Sequence, residues 1–275
     1  MTRPFLVVGA MKSGTTTLES LLGDHPEVTI AVEKESTAFD GTSRAETAAQ
    51  QILNAPTPTA GEVSTGYMQH PWVTCDPSQA VRMLGPDLRV IAVLRDPLTR
   101  ASSHWRHWEQ IGRNTASLNA SLTDPESAHV AFSRYHEQLS RWADVVPDDQ
   151  ILVLRLEDYA QDPEGWQNTI STFLQIEPMD SPTMVTSNAA DTRVVARGLG
   201  QRISRSTLYR KALRPLVPSS GRRLGTRLLG GRKGGGLSTT DVTADTEKEF
   251  FRLIADDARL LRARWPQATW STEKG

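Results

Sequence analysis

The sequence predicts a three-layer α/β/α domain around a mostly parallel central sheet, and three observations carry that reading. Short apolar runs with β-branched content recur at residues 5–8, 28–32, 90–94 and 151–156. The more widely spaced runs lead through a polar turn into a helical pattern, the alternation that produces parallel strands with crossover helices. Two stretches, residues 89–94 and 150–155, are apolar on both faces, as strands covered by helices on each side must be.

In chain order, the first run enters Gly9-Ala10-Met11-Lys12-Ser13-Gly14-Thr15-Thr16-Thr17 and opens a helix over residues 16–22. A Gly-rich turn between a strand and a helix points backbone N–H groups at an anion, so the layout is that of a phosphate-binding loop. A nucleoside triphosphatase places its lysine directly after the last glycine. Here Thr15 follows Gly14 and Lys12 precedes it, which suits a phosphorylated nucleotide but not triphosphate hydrolysis. The fold expected is therefore P-loop-like and nucleotide-binding. Further helices are expected at about 77–84, 97–111, 131–145 and 163–173. A last one, at about 243–264, places Phe250, Ile254, Ala258, Leu261 and Trp265 on one face.

The 275 residues, 38% of them hydrophobic, suffice for one domain spanning 1–275 with a buried core. Within it, a basic loop or helical insertion is expected at about 190–237. The single cysteine, Cys75, excludes an internal disulfide framework and any multi-cysteine metal site. The N-terminal apolar run is too short for a signal peptide or membrane anchor, so a cytoplasmic location is expected. Net charge is −1, yet residues 192–240 hold twelve Arg or Lys and no Asp or Glu, leaving −13 on the rest. A basic segment on an acidic body suggests a local anionic partner, and residues 193–233 offer a place for peripheral membrane contact. Oligomeric state is not encoded in any readable pattern.

These residues resemble sulfotransferases that use 3′-phosphoadenosine 5′-phosphosulfate (PAPS). Gly9 to Thr16 resembles their 5′-phosphosulfate loop. Val90-Ile91-Ala92-Val93-Leu94-Arg95-Asp96-Pro97, with Ser103 eight residues past the arginine, resembles their 3′-phosphate motif. Leu154-Arg155-Leu156-Glu157-Asp158-Tyr159, followed by Asp162-Pro163, is similar to the family's second strand-to-helix junction. The likeness is to the carbohydrate, or heparan sulfate-type, branch and its bacterial relatives. There, a His-Pro-x-Val segment leads to a catalytic glutamate; here His25-Pro26-Glu27-Val28 precedes Glu33-Lys34-Glu35. Two departures, Thr37 where a histidine is common and Val63-Ser64-Thr65 where Lys-Thr-Pro is usual, argue against a heparan-like acceptor.

The resemblance implies PAPS as donor and 3′-phosphoadenosine 5′-phosphate (PAP) as product, with no metal. The acceptor implied is a hydroxyl of a sugar, glycolipid or secondary metabolite. Sulfuryl transfer is an in-line displacement in which positioning and charge stabilisation dominate. Lys12 is assigned to the leaving oxygen, and the amides of Ser13, Gly14, Thr15, Thr16 and Thr17, with the hydroxyls of Thr15 and Thr16, to the 5′-phosphate. Arg95 and Ser103 would hold the 3′-phosphate, joined by Arg232 and Lys233 from the Gly-rich stretch at residues 230–236. Glu35 is the expected general base. Glu62, Trp105 and Trp108 are candidates for acceptor contact, while the His104–His107 spacing is read as packing.

Two other functions compete. A nucleotide kinase or NTPase is disfavoured by the position of Lys12 and by the lack of a magnesium-binding aspartate at a strand end. A nucleic-acid-binding protein using residues 193–233 would bind with strong salt dependence, but nucleic acid explains neither core anion motif and is not expected as a partner.

Overall fold

The computed structural model describes residues 2–179, 194–195, 232–233 and 241–270. A five-stranded, all-parallel sheet runs in the order β2-β3-β1-β4-β5, with β1 Arg3–Gly9, β2 Val28–Ile30, β3 Thr59–Val63, β4 Arg89–Leu94 and β5 Ile151–Arg155. The helices are α1 Thr15–Gly23, α2 Arg44–Leu53, α3 Pro77–Leu84, α4 Pro97–Gln110, α5 Leu118–Thr123, α6 Ala128–Ala131, α7 Tyr135–Ala143, α8 Leu156–Gln161, α9 Pro163–Leu174 and α10 Ala244–Arg264. This is the expected fold class.

Alternate residues of the central strands feed two separate cores, which is why their runs read as continuously apolar. Leu6, Val8, Val90, Ala92, Leu94 and Val153 face α2, α3, α7 and the end of α10. Phe5, Val7, Ile91, Val93 and Leu154 face α1 and α9, through Leu18, Leu22, Trp166 and Ile170. A third cluster joins Leu98, Ala101 and Trp105 of α4 to Leu118, Leu122, Val130, Phe250 and Ile254. One strand lies outside the four apolar runs, and one expected helix differs in extent. Residues 59–63, Thr-Ala-Gly-Glu-Val, form β3 although alanine, glycine and glutamate are poor strand formers. They are buried throughout between β1 and β2, and Gly61 is needed there because a Cβ would lie 2.1 Å from the Phe5 carbonyl. The helix expected at 131–145 is shortened to α7, Tyr135–Ala143, and α6 ends at Ala131, where the expected helix begins. The first turn of α7 has no local side-chain cap; Asp257 of α10 instead accepts from the amides of His136 (3.0 Å) and Glu137 (2.8 Å).

Beneath α4 lies a fully buried guanidinium, Arg100, donating to the His129 carbonyl (2.6 Å) and to Ser133 Oγ (2.7 Å). His129 Nδ1 meets His104 Nδ1 at 3.1 Å. Burial, then the neighbouring Arg100 charge, pushes His129 down to about 4. The folded protein thus binds fewer protons here than the unfolded chain, whose histidines titrate near 6.5, so this contribution to stability is complete above pH 6.5 and is lost as pH falls toward 4. Between pH 7.5 and pH 5 the wild type should lose about 2 kcal/mol more than a His129→Gln variant, read from urea midpoints. Asp257, raised to about 6 by burial, acts in the opposite sense and cancels in that comparison.

The chain divides into two compact units. The first comprises residues 1–105, 114–185 and 242–275 and holds the sheet. The second comprises residues 106–113 and 186–241; its described parts are residues 106–113, which include the last turn of α4, an antiparallel pair, β6 Val194–Val195 with β7 Arg232–Lys233, and Asp241. Among the described residues, no helix is long and apolar enough to cross a membrane.

Candidate active site

At the C-terminal end of β1 the strand register with β4 shifts between Val7 and Gly9, and Ala10 N donates to the Val93 carbonyl at 2.7 Å. The chain then turns through two left-handed residues, Lys12 (φ 70°) and Gly14 (φ 86°), into α1. Gly14 is favoured by its φ, and a Cβ there would lie 2.5 Å from Leu156 Cδ1 of α8, so that side chain would have to move. The N-terminus of α1 has neither a side-chain cap nor an acidic residue in its first turn, so its dipole is not neutralised locally, although Ser13 N and Thr17 N already donate within the turn to the Ala10 (3.2 Å) and Gly14 (2.9 Å) carbonyls. Ser13 Oγ is buried without a hydrogen-bond partner. A buried hydroxyl with no partner and an uncapped helix end are features an anion would satisfy.

Arg95, at the end of β4, points back across this turn, with Nη1 3.4 Å from the Lys12 carbonyl. Its own carbonyl accepts from Tyr135 Oη at 2.8 Å. Asp96 Oδ1 caps α4 by accepting from Thr99 N (2.8 Å) and Oγ1 (2.6 Å), so its carboxylate serves the helix terminus. Ser103 is half-buried on α4. The loop is pinned from below by Glu157, whose Oε1 accepts from Asp96 N (2.9 Å) and Oε2 from Trp270 Nε1 (3.0 Å). The junction at residues 154–159 therefore works through Leu156 under Gly14 and Glu157 under Asp96.

Glu35 lies at the exposed crest of a turn that crosses the end of β3, itself at positive φ (59°). Its backbone N donates to the Val63 carbonyl (3.1 Å), and its Oε2 accepts from both Thr65 N (2.8 Å) and Thr65 Oγ1 (2.9 Å). The next residues are fastened alongside: Ser36 Oγ donates to Glu62 Oε1 (2.5 Å), and Thr37 N donates to Ser64 Oγ (3.1 Å). On the other side, Lys34 Nζ donates to Thr16 Oγ1 (3.0 Å) and pairs with Glu19 of α1. Thr65 and Lys34 were not singled out by sequence; the only trace of Lys34 is its place between Glu33 and Glu35.

Two of the residues offered for acceptor contact are buried with partners of their own. Glu62 is fully buried, its carboxylate engaged by Ser36 and by Tyr67 Oη (2.9 Å), and burial raises its pKa. It supports the Glu35 turn from inside. Trp105 is a core residue at 8% exposure, and its indole N–H donates to the Ala116 carbonyl (3.2 Å). Trp108 is half-buried in the second unit. Of Arg232 and Lys233 only the β7 backbone is described, and the rest of the 193–233 stretch, apart from Val194 and Val195, lies outside the described residues.

A parallel α/β sheet whose first strand ends in a Gly-containing turn leading into a helix, with an arginine from the end of the adjacent strand reaching that turn, defines a P-loop-like fold. Comparison with known proteins is specific: the family described as "Sulfotransferase domain" matches residues 2–189. The chain belongs to this family. It is 28% identical over 203 residues to the bifunctional heparan sulfate N-deacetylase/N-sulfotransferase 2 of Bos taurus, covering 63% of this chain and 22% of that protein. It is 26% identical over 180 residues to heparan sulfate glucosamine 3-O-sulfotransferase 3B1 of Mus musculus, covering 62% and 46%. The chain thus spans less than half the length of these relatives. Among solved structures, a sulfotransferase from Alicyclobacillus acidocaldarius superimposes with TM-score 0.66 at 20% identity over all of both chains. Mouse sulfotransferase SULT7A1 complexed with PAP gives 0.55 at 15% identity, over 97% of this chain and 87% of that one. At these identities the likeness is one of fold.

Proposed function

We propose that the protein transfers a sulfuryl group from PAPS to a hydroxyl of a sugar, glycolipid or secondary metabolite. The observation that carries this reading is the 3.4 Å approach of Arg95 to the Lys12 carbonyl, which unites the two anion elements in one site. PAPS, when bound, supplies an activated sulfuryl group and a good leaving group. The chain's own residues supply the rest. The uncapped α1 terminus and the unpartnered Ser13 hydroxyl fit a 5′-phosphate, with the hydroxyls of Thr15 and Thr16 close in the chain. Lys12, held at positive φ beside that terminus, stabilises charge on the leaving oxygen. Arg95 and Ser103 hold the 3′-phosphate, the planar guanidinium giving a paired grip. Glu35 accepts the acceptor's proton; two Thr65 bonds fix one of its carboxylate oxygens. Arg232 and Lys233 remain in this proposal as further 3′-phosphate ligands, and Trp108 as an acceptor contact. Among the described residues there is no cluster of His, Cys, Asp and Glu able to hold a metal ion.

Calorimetric titration with PAP and with ADP, each with and without magnesium, tests the reading. Magnesium-independent binding of PAP in preference to ADP is expected, weakened about 10- to 100-fold in Arg95→Ala, as loss of a charge-assisted bond to phosphate implies. A preference for ADP with magnesium would transfer the assignment to a nucleotide kinase.

A further inference from the structure

The turn carrying Glu35 is anchored at both ends to different parts of the site. Thr65, at the end of β3, holds the Glu35 carboxylate. One residue earlier, Lys34 crosses to α1, where its ammonium pairs with Glu19 and donates to Thr16 Oγ1 at 3.0 Å. Thr16 is the second residue of α1, and Glu19 lies one turn further along the same helix. The chemistry of this contact is directional. An ammonium has only donors, so the Thr16 oxygen must be the acceptor, and the hydroxyl proton must point away from Lys34. That proton is thereby available to an anion at the α1 terminus. The same contact brings a third cation, after Lys12 and Arg95, to the donor end of the sheet.

We propose that Lys34 is a positioning residue that couples donor binding to placement of the base: it orients the Thr16 hydroxyl toward the donor and clamps the Glu35 turn against α1. The inference rests on the PAPS-dependent reading above. It requires that Lys34 and Thr16 act as one unit toward the donor, and that loss of Lys34 impairs turnover even when donor is saturating. A purely structural ion pair with Glu19 would do neither.

The test is a double-mutant cycle on PAP affinity by calorimetry with wild type, Lys34→Met, Thr16→Val and the double variant. Each single change should weaken PAP by about three- to tenfold, and the double variant should be no weaker than the worse single one. Lys34→Met should also lower kcat at saturating PAPS, while Lys34→Arg, which keeps the charge and donors, recovers part of both losses. Thermal unfolding of the same samples shows that each is folded; should Lys34→Met be unfolded, the cycle is run with Lys34→Gln. Strictly additive effects, or wild-type affinity in the Lys34 variant, would overturn the coupling alone. Failure of the wild type itself to bind PAP would overturn the donor assignment and the coupling with it.

Discussion

Replacing Glu35 by glutamine is expected to slow turnover by about 10²–10⁴-fold while PAP affinity stays within about threefold of wild type. A hydroxyl nucleophile is far too weak an acid to ionise unaided near neutrality, so the proton must be received as the new S–O bond forms. Glutamine keeps the size of the side chain and a carbonyl oxygen that can accept from Thr65 N and Oγ1, so the positive-φ turn should survive. Only basicity is lost. PAP release from PAPS, measured against a panel of sugar and small-molecule alcohols, gives the rate; calorimetry gives the affinity. An unchanged rate would remove Glu35 from the chemistry. A parallel collapse of PAP binding would assign it to donor binding instead.

The second large effect is expected at Gly14. Alanine there must adopt φ near +86°, which costs an L-residue about 1–2 kcal/mol, and its Cβ would sit 2.5 Å from Leu156 Cδ1. Either the loop lifts off α8 or Leu156 is driven from its place, and both move the α1 amides relative to Arg95. Gly14→Ala should therefore lose at least about tenfold in PAP affinity and about 2–3 kcal/mol in stability. Adding Leu156→Ala relieves the clash but not the dihedral strain, so the double variant should recover part of the affinity. Wild-type affinity in Gly14→Ala would show that the close packing of loop on α8 is irrelevant to the donor.

How much of this was legible in the sequence depends on the range of the interactions. The loop from Gly9 to Thr17 and the Arg95-Asp96-Pro97 turn are local: strand, turn chemistry and helix start lie within a dozen residues, and the fold class follows from their repetition. The strand at residues 59–63 carries no apolar run, because its burial is imposed by neighbours on both sides and not by its own side chains. Glu62 and Trp105 lie in the interior for a related reason. A glutamate and a tryptophan near motif residues suggest contact with substrate, whereas tertiary packing places both in the interior, with Tyr67 and the Ala116 carbonyl as their partners. Arg100 carries its charge into the core because Ser133 and the His129 carbonyl meet it there, a pairing across some thirty positions that no periodicity reveals. The same holds for Asp257, which caps a helix 120 residues upstream.

The contact of Glu157 with both Asp96 and Trp270 has a consequence for the order in which the molecule matures. Synthesis proceeds from the N-terminus, so the phosphate loop, the Arg95 turn and the Glu35 crest all leave the ribosome before residue 270 exists. A nascent chain can assemble the sheet and still present an Arg95 turn secured from one side only. The second fastening arrives only once residue 270 has emerged, 113 positions after Glu157, so the support beneath the Arg95 turn is completed later than the turn itself.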